Sequence, residues 1–212
     1  MNIALIGASG FVGSAIRKEA LSRKHKVTAL VSDPSKLQPE ANLDIRKTDV
    51  LDTTRLTEQL RGHDLVISAF SGHADADIYG YYLKGIRSLV EAVRASGVPR
   101  LLLVGGAGSL GVKPGVQLLD TPEFPAQWKA TAEGARAALQ MMRELRDIDW
   151  TVLSPPPHLQ PGTRTGRYRS GLDAVIQGAS GPADISLEDY AVAMLDEAET
   201  AKHRRQRFTV AH

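Results

Sequence analysis

Three glycines at three-residue spacing, Gly7, Gly10 and Gly13, sit between the apolar run Asn2-Ile3-Ala4-Leu5-Ile6 and a segment that places Val12, Ile16 and Ala20 on one helical face. A glycine turn between a strand and a helix can cradle a pyrophosphate. The first N–H groups of the helix have no partner within it, and they lie at the positive end of its dipole. Gly7 permits the tight turn, Gly10 lets the backbone approach the phosphates, and Gly13 lets the helix pack on the strand. Ser9, Phe11 and Val12 belong to the same turn and share the expected binding role. The competing reading is a turn that merely reverses the chain. The strand before it and the helix after it favour the nucleotide site.

Such a turn needs a sheet to hold it, and the rest of the chain alternates accordingly. Strands are expected at 26–31, 43–47, 65–69, 101–104, 150–153 and 208–210. Helices are expected at 53–60, capped by Thr53 or Thr54, at 78–95, closed by Gly97-Val98-Pro99, and at 125–146. Ser186 caps a further helix that ends near Glu199, with Glu188 and Asp189 in its first turn. Near-continuous apolar strands separated by helices imply a doubly wound α/β fold, a Rossmann-like parallel sheet covered on both faces. Residues 1–212 read as one domain. Residues 155–185 are rich in Gly, Pro and polar residues, contain one short strand candidate at 173–176, and are expected to form a small C-terminal substrate lobe or lid.

The composition narrows the function classes. The chain has 212 residues and no cysteine, which removes disulfides, cysteine–zinc sites and a thiol nucleophile. No metal site is expected. No apolar run is long enough to span a bilayer, and the expectation is a cytoplasmic protein with no membrane partner. The net charge is +2. The basic cluster Lys202-His203-Arg204-Arg205-Gln206-Arg207 lacks interleaved aromatics, so it reads as a solvated turn before the last strand rather than a nucleic-acid footprint.

In a doubly wound sheet, ligands sit at the carboxyl ends of the strands. Those ends and the last strand carry distinctive motifs: Gly7-Ala8-Ser9-Gly10-Phe11-Val12-Gly13, Val31-Ser32-Asp33-Pro34-Ser35-Lys36, Val104-Gly105-Gly106-Ala107-Gly108-Ser109-Leu110, Ser154-Pro155 and, at the last strand, Gln206-Arg207-Phe208-Thr209-Val210. In these the chain resembles, over essentially its whole length, the atypical short-chain dehydrogenase/reductases often labelled NADH-flavin reductases. That group lies close to the NmrA-like and biliverdin-reductase-B-like proteins. The resemblance implies NAD(H) or NADP(H) as cofactor and a flavin (FMN or FAD), a quinone or a related planar small molecule as acceptor. A monomer or homodimer is expected.

Members of the group commonly carry Arg where this chain has Ser32, a position suited to an adenosine 2′-phosphate. Lys36 could supply the charge that Ser32 lacks. Asp33 is either a ribose-binding acid or, with Pro34, the cap of a short helix; the cap accounts for both residues. Asp49 and Val50 are expected to flank the adenine. Ala69, Phe70 and Ser71 are expected beside the ribose and nicotinamide, with Gly105 and Pro155 completing the pocket.

Conventional short-chain dehydrogenases use a Tyr-x-x-x-Lys pair on the helix after the fifth strand. The matching segment here, Trp128-Lys129-Ala130-Thr131, has no tyrosine. The candidate acids are therefore Lys129, His158 just past the sixth strand, and Ser109 after a flexible glycine stretch. Tyr168 and the cluster Tyr79, Tyr81, Tyr82 are further candidates, with packing as their alternative role. A flavin or quinone can take its proton from solvent, whereas a developing alkoxide needs a positioned acid. The expected activity is hydride transfer to a planar acceptor. The competing reading is a redox sensor that binds NAD(P) without turnover, and the glycine- and arginine-bearing segment 162–171, read as a closing lid, argues against it.

Overall fold

The computed structural model describes residues 1–179 and 181–212; Ser180, inside the expected C-terminal lobe, lies outside the described residues. Eight strands build the central sheet: β1 (Asn2–Ile6), β2 (Lys26–Val31), β3 (Leu43–Lys47), β4 (Leu65–Ser68), β5 (Arg100–Val104), β6 (Asp149–Ser154), β7 (Arg169–Gly171) and β8 (Gln206–Ala211). The helices are α1 (Phe11–Ser22), α2 (Thr53–Leu60), α3 (Ile78–Ser96), α4 (Lys129–Glu144) and α5 (Leu187–Glu199). The strand order is β7-β8-β6-β5-β4-β1-β2-β3, and every neighbouring pair is parallel except the β7–β8 edge. This is the expected Rossmann-like architecture.

Alternation along the strands explains why both faces are covered. Ala4 and Ile6 enter one core with Leu101, Leu103 and the apolar faces of α2, α3 and α4. Ile3 and Leu5 enter the other with Leu102, Phe208 and the faces of α1 and α5. Residues that alternate between two buried faces must all be apolar, which is why these strands read as unbroken apolar runs. The expected helical stripe Tyr82, Ile86, Leu89 and Val93 is buried throughout. Gly97 closes α3 in the left-handed region, at φ 75°. Among the described residues, no helix is long and apolar enough to cross a membrane.

Four local expectations change. The cap of α2 is Asp52, whose carboxylate accepts the Arg55 N–H at 3.0 Å, while the Thr53 hydroxyl pairs with Ser88 instead. The helix expected from residue 125 begins as a 3-10 turn over Ala126–Trp128 and becomes α-helical only at Lys129. The strand candidate at 173–176 is a single bridge from Ala174 to Gly111; the added edge strand is β7, paired with β8. The basic cluster is only partly solvated. Arg207 is buried on β8 and holds the Asp173 carboxylate, and Arg204 pairs with Asp149.

The segment 162–168 is strapped onto α1 and α5. Arg164 makes a two-pronged contact with Glu19 of α1, and the Gly162 N–H donates to Glu188 of α5. The centre of the strap is Asp189, a fully buried carboxylate that accepts from the Thr165 and Gly166 N–H groups, the Thr165 hydroxyl and His212 Nε2. Burial opposes its charge, but the Thr165 hydroxyl, the Gly166 amide and His212 outweigh burial and hold this carboxyl below the usual Asp range. Asp189→Ala should therefore destabilise the fold by about 1–3 kcal/mol at neutral pH, since several part-buried donors lose a charged acceptor. A carboxyl with a depressed folded pKa stabilises fully above its unfolded value, about 4, and loses that contribution as the pH falls through the lower folded value. The stability gap between wild type and variant, read from urea unfolding, should narrow below about pH 4. A gap constant down to the acid limit would remove the charge from this account.

Candidate functional site

Strand order reverses between β1 and β4, and a crevice opens at their carboxyl ends. The glycine turn forms one side. Gly7 has φ 74°, and a Cβ there would lie 2.6 Å from the Ala69 carbonyl oxygen at the end of β4. A Cβ at Gly13 would lie 2.1 Å from the Gly7 carbonyl oxygen. The protein's own packing demands both glycines. Gly10 is different: its φ is −77°, and a Cβ would meet only the Gly7 carbonyl oxygen, at 3.3 Å. The fold tolerates more there than the sequence offers, and the space over Gly10 opens into the crevice. That open cradle at the start of α1, with no side-chain cap, fits a pyrophosphate.

The crevice is a cleft of about 720 Å³. Of the expected cofactor residues, Gly10, Phe11, Val12, Ala69, Phe70, Ser71, Gly105 and Pro155 line it. The Phe70 ring stacks on Tyr82, with centroids 5.8 Å apart and planes 7° from parallel. Gly7 and Ser9 stand behind this lining, within the turn.

The remaining expected cofactor residues lie along the carboxyl edge beyond the cleft. Ser32 and Lys36 are exposed after β2. Asp33 is the cap, accepting from the Ser35 amide at 3.1 Å and its hydroxyl at 2.6 Å. The Ser35 hydroxyl and amide hold the Asp33 carboxyl below its ordinary value, and Lys36 and Lys47 act in the same direction. Asp49 is exposed and accepts the Leu51 N–H at 2.9 Å, while the Val50 side chain belongs to the core beneath.

The three candidate acids separate. His158 is exposed and lines the cleft. Lys129 is exposed at the start of α4, where its neighbour Trp128, not Lys129, lines the cleft. Ser109 is buried behind the wall and accepts from Arg207 Nη1 at 3.3 Å. The glycine stretch before it is packed rather than flexible: Cβ atoms at Gly106 and Gly108 would each lie 2.8 Å from an alanine Cβ of α4. Tyr168 donates to Asp196 at 2.8 Å and packs on the α1–α5 core. Tyr82 is buried, and burial pushes its phenol up.

Sequence reading missed one wall. The insertion between β5 and α4 contributes Glu123, Phe124 and Trp128, and Trp128 meets His73 edge to face at 6.5 Å. The available signal was Phe124 and Trp128, two large aromatics in a segment that starts at the sheet's carboxyl edge. From the expected lobe at 155–185, only residues 155–159 line the cleft among the described residues. Segment 162–168 lies on α1 and α5 instead.

The profile of the family described as NAD(P)H-binding matches residues 7–201. The chain is 42% identical over 213 residues to the uncharacterized protein YwnB of Bacillus subtilis (strain 168), covering 99% of this chain and 98% of YwnB. A solved structure from Bacteroides thetaiotaomicron, provisionally named an epimerase, is similar with a TM-score of 0.93 at 42% identity, covering 100% of this chain and 96% of that one. Another, from Streptococcus pneumoniae TIGR4 and provisionally named an NADH-flavin reductase, has a TM-score of 0.89 at 33% identity, covering 100% and 99%. The glycine turn, the strand order and these likenesses converge: the chain belongs to the NAD(P)H-binding family, and its neighbours are consistent with the atypical short-chain dehydrogenase/reductase group.

Proposed function

We propose that the protein is an NAD(P)H-dependent reductase acting on a planar, electron-poor acceptor such as a flavin or a quinone. The observation that carries this reading is a single cleft that runs from the open Gly10 cradle to the aromatic wall of Phe124 and Trp128. When bound, the nicotinamide supplies the hydride. The chain's own residues do the rest. The backbone at Gly10, Phe11 and Val12 holds the pyrophosphate, with Gly7 and Ser9 shaping the turn. Asp49 and Val50 border the adenine. Ala69, Phe70, Ser71, Gly105 and Pro155 confine the reactive end and keep water from it. A reduced nicotinamide cofactor suits a cytoplasmic setting.

The acceptor class follows from the acids. Tyr82, the one tyrosine lining the cleft among the described residues, is buried and stacked on Phe70. That leaves the two histidines of the lining, His158 and His73, as proton donors facing the cleft, and of these we favour His158, with Lys129 at its rim and Ser109 supporting its wall. This set suits an acceptor that can also draw its proton from solvent better than a carbonyl. A second reading, a sensor that binds cofactor without turnover, is favoured by the withdrawal of Ser109 and Lys129 from the lining. For the adenosine end we favour NADPH. Asp33 is committed to Ser35, and Lys36 and Lys47 make that edge basic.

Gly10→Ala should weaken NADPH and NADH binding by about tenfold or more, because the added methyl occupies the pyrophosphate approach. Its melting temperature should stay close to wild type, since the new Cβ meets only one atom at 3.3 Å. Unchanged affinity by calorimetric titration would move the nucleotide away from this turn.

Ser32→Arg should raise the preference for NADPH over NADH by about tenfold, through a forked pairing with the 2′-phosphate. The readout is the ratio of the two dissociation constants. An unmoved ratio would mean that Ser32 does not face the adenosine ribose.

Purified protein should oxidise NAD(P)H in the presence of a flavin or quinone and leave simple aldehydes and ketones largely untouched. His158→Ala should lower that turnover by roughly tenfold to a hundredfold. Tight cofactor binding with no acceptor reduced would replace the reductase with the sensor.

A further inference from the structure

The chain carries 26 lysines and arginines, yet none lines the cleft among the described residues. The one carboxylate in the lining is Glu123, exposed on the insertion beside Phe124. The large exposed apolar side chains of the wall are aromatic, Phe11 at 56% and Trp128 at 51% exposed, and the exposed polar ones besides Glu123 are Ser71, His73 and His158. The adenosine edge has the opposite character, with exposed Lys36 and Lys47. Lysines stand where a cofactor phosphate would lie, whereas on the acceptor side the lining has none and Lys129 stands only at the rim. The start of α1 at Gly10, which suits a phosphate, is taken by the cofactor's pyrophosphate under the proposed function.

We propose that the acceptor is an uncharged aromatic ring system without a phosphate, such as a quinone or riboflavin, and that Glu123 disfavours anionic acceptors such as FMN. This rests on the reductase reading. A phosphate monoester brought against these walls loses hydration and gains no lysine or arginine of the lining in return. Glu123 adds repulsion, which the low-dielectric aromatic surface screens less than water would. An uncharged ring meets neither cost and gains stacking area on Trp128 and Phe124. In the reaction the ring gains a hydride from the reduced nicotinamide and a proton from solvent or His158, and oxidised nicotinamide is released.

Riboflavin and FMN share one ring and differ by the 5′-phosphate, so they isolate the charge. With NADPH as donor, kcat/KM for riboflavin should exceed that for FMN by about tenfold or more. Glu123→Gln should narrow the ratio, and Glu123→Lys should narrow it further or invert it. Binding of each flavin to protein saturated with NADP+, followed by fluorescence quenching, gives a second readout independent of turnover. Equal use of the two flavins, a ratio indifferent to both Glu123 variants, or an FMN preference that disappears in Lys129→Ala would overturn the proposal and leave the reductase intact. Selective binding of riboflavin with no acceptor reduced would support the charge filter and end the reductase reading. Binding of neither flavin, with no quinone reduced, would overturn both.

Discussion

The cleft depends on how closely the chain reverses after β1. Gly7 turns in the left-handed region directly against the Ala69 carbonyl at the end of β4, and Gly13 packs the first turn of α1 onto Gly7 itself. A side chain at either position would push α1 away from the sheet and separate β1 from β4 at their carboxyl ends. Because strand order reverses at this pair, the separation of the two ends sets the width of the crevice. Gly10 lies within the same turn but is not held by the same constraint. Two glycines build the cradle, and the third keeps it open.

Charge is distributed around that crevice in two ways. Deeply buried ions are paired and serve the scaffold. Arg100 reaches the Glu197 carboxylate and carbonyl from the start of β5, Glu197 also accepts from His203, and the His203 ring stacks on Phe208 at 4.1 Å. Arg207 stands behind the cleft wall, where burial lowers its affinity for the proton and Asp173 opposes that shift. Its Nη1 reaches both Ser109 and Ser154, so one buried cation ties the tails of β5 and β6 together. Removing a partner from such a pair costs more than the pair itself contributes, because an uncompensated charge is left behind. The cleft, by contrast, is lined mainly by aromatic, aliphatic and small residues and the histidines His73 and His158, with Glu123 as its only carboxylate among the described residues. This separation keeps the scaffold's ions out of the space where a ligand would compete for them.

Much of this was legible before any coordinates. The alternation of apolar runs and amphipathic segments determined the parallel sheet, its helices and the place of the glycine turn, because a strand buried on both faces has to be apolar throughout. The cap preference at Asp33-Pro34 and the helix end at Gly97 were equally local, since each depends on a few neighbouring residues. The α2 cap was missed by one residue, because Asp52, Thr53 and Thr54 offer equivalent local chemistry and only the Thr53–Ser88 contact with α3 separates them.

The tertiary structure decided which candidates meet. Ser109, Lys129 and His158 lie far apart in sequence, and nothing local could show that Arg207, nearly a hundred residues later, draws Ser109 behind the wall. The same holds for the segment 162–171, which reads as a lid from its composition but is bound, over 162–168, to α1 and α5 through Glu19 and the buried Asp189. It holds too for the wall made by Phe124 and Trp128. Strand, helix and turn chemistry acts over a few residues, so the sequence by itself determined the fold and the glycine turn at its switch point. The rest of the cleft is assembled from loops after β4, β5 and β6, and its composition became visible only when the sheet brought those loops together.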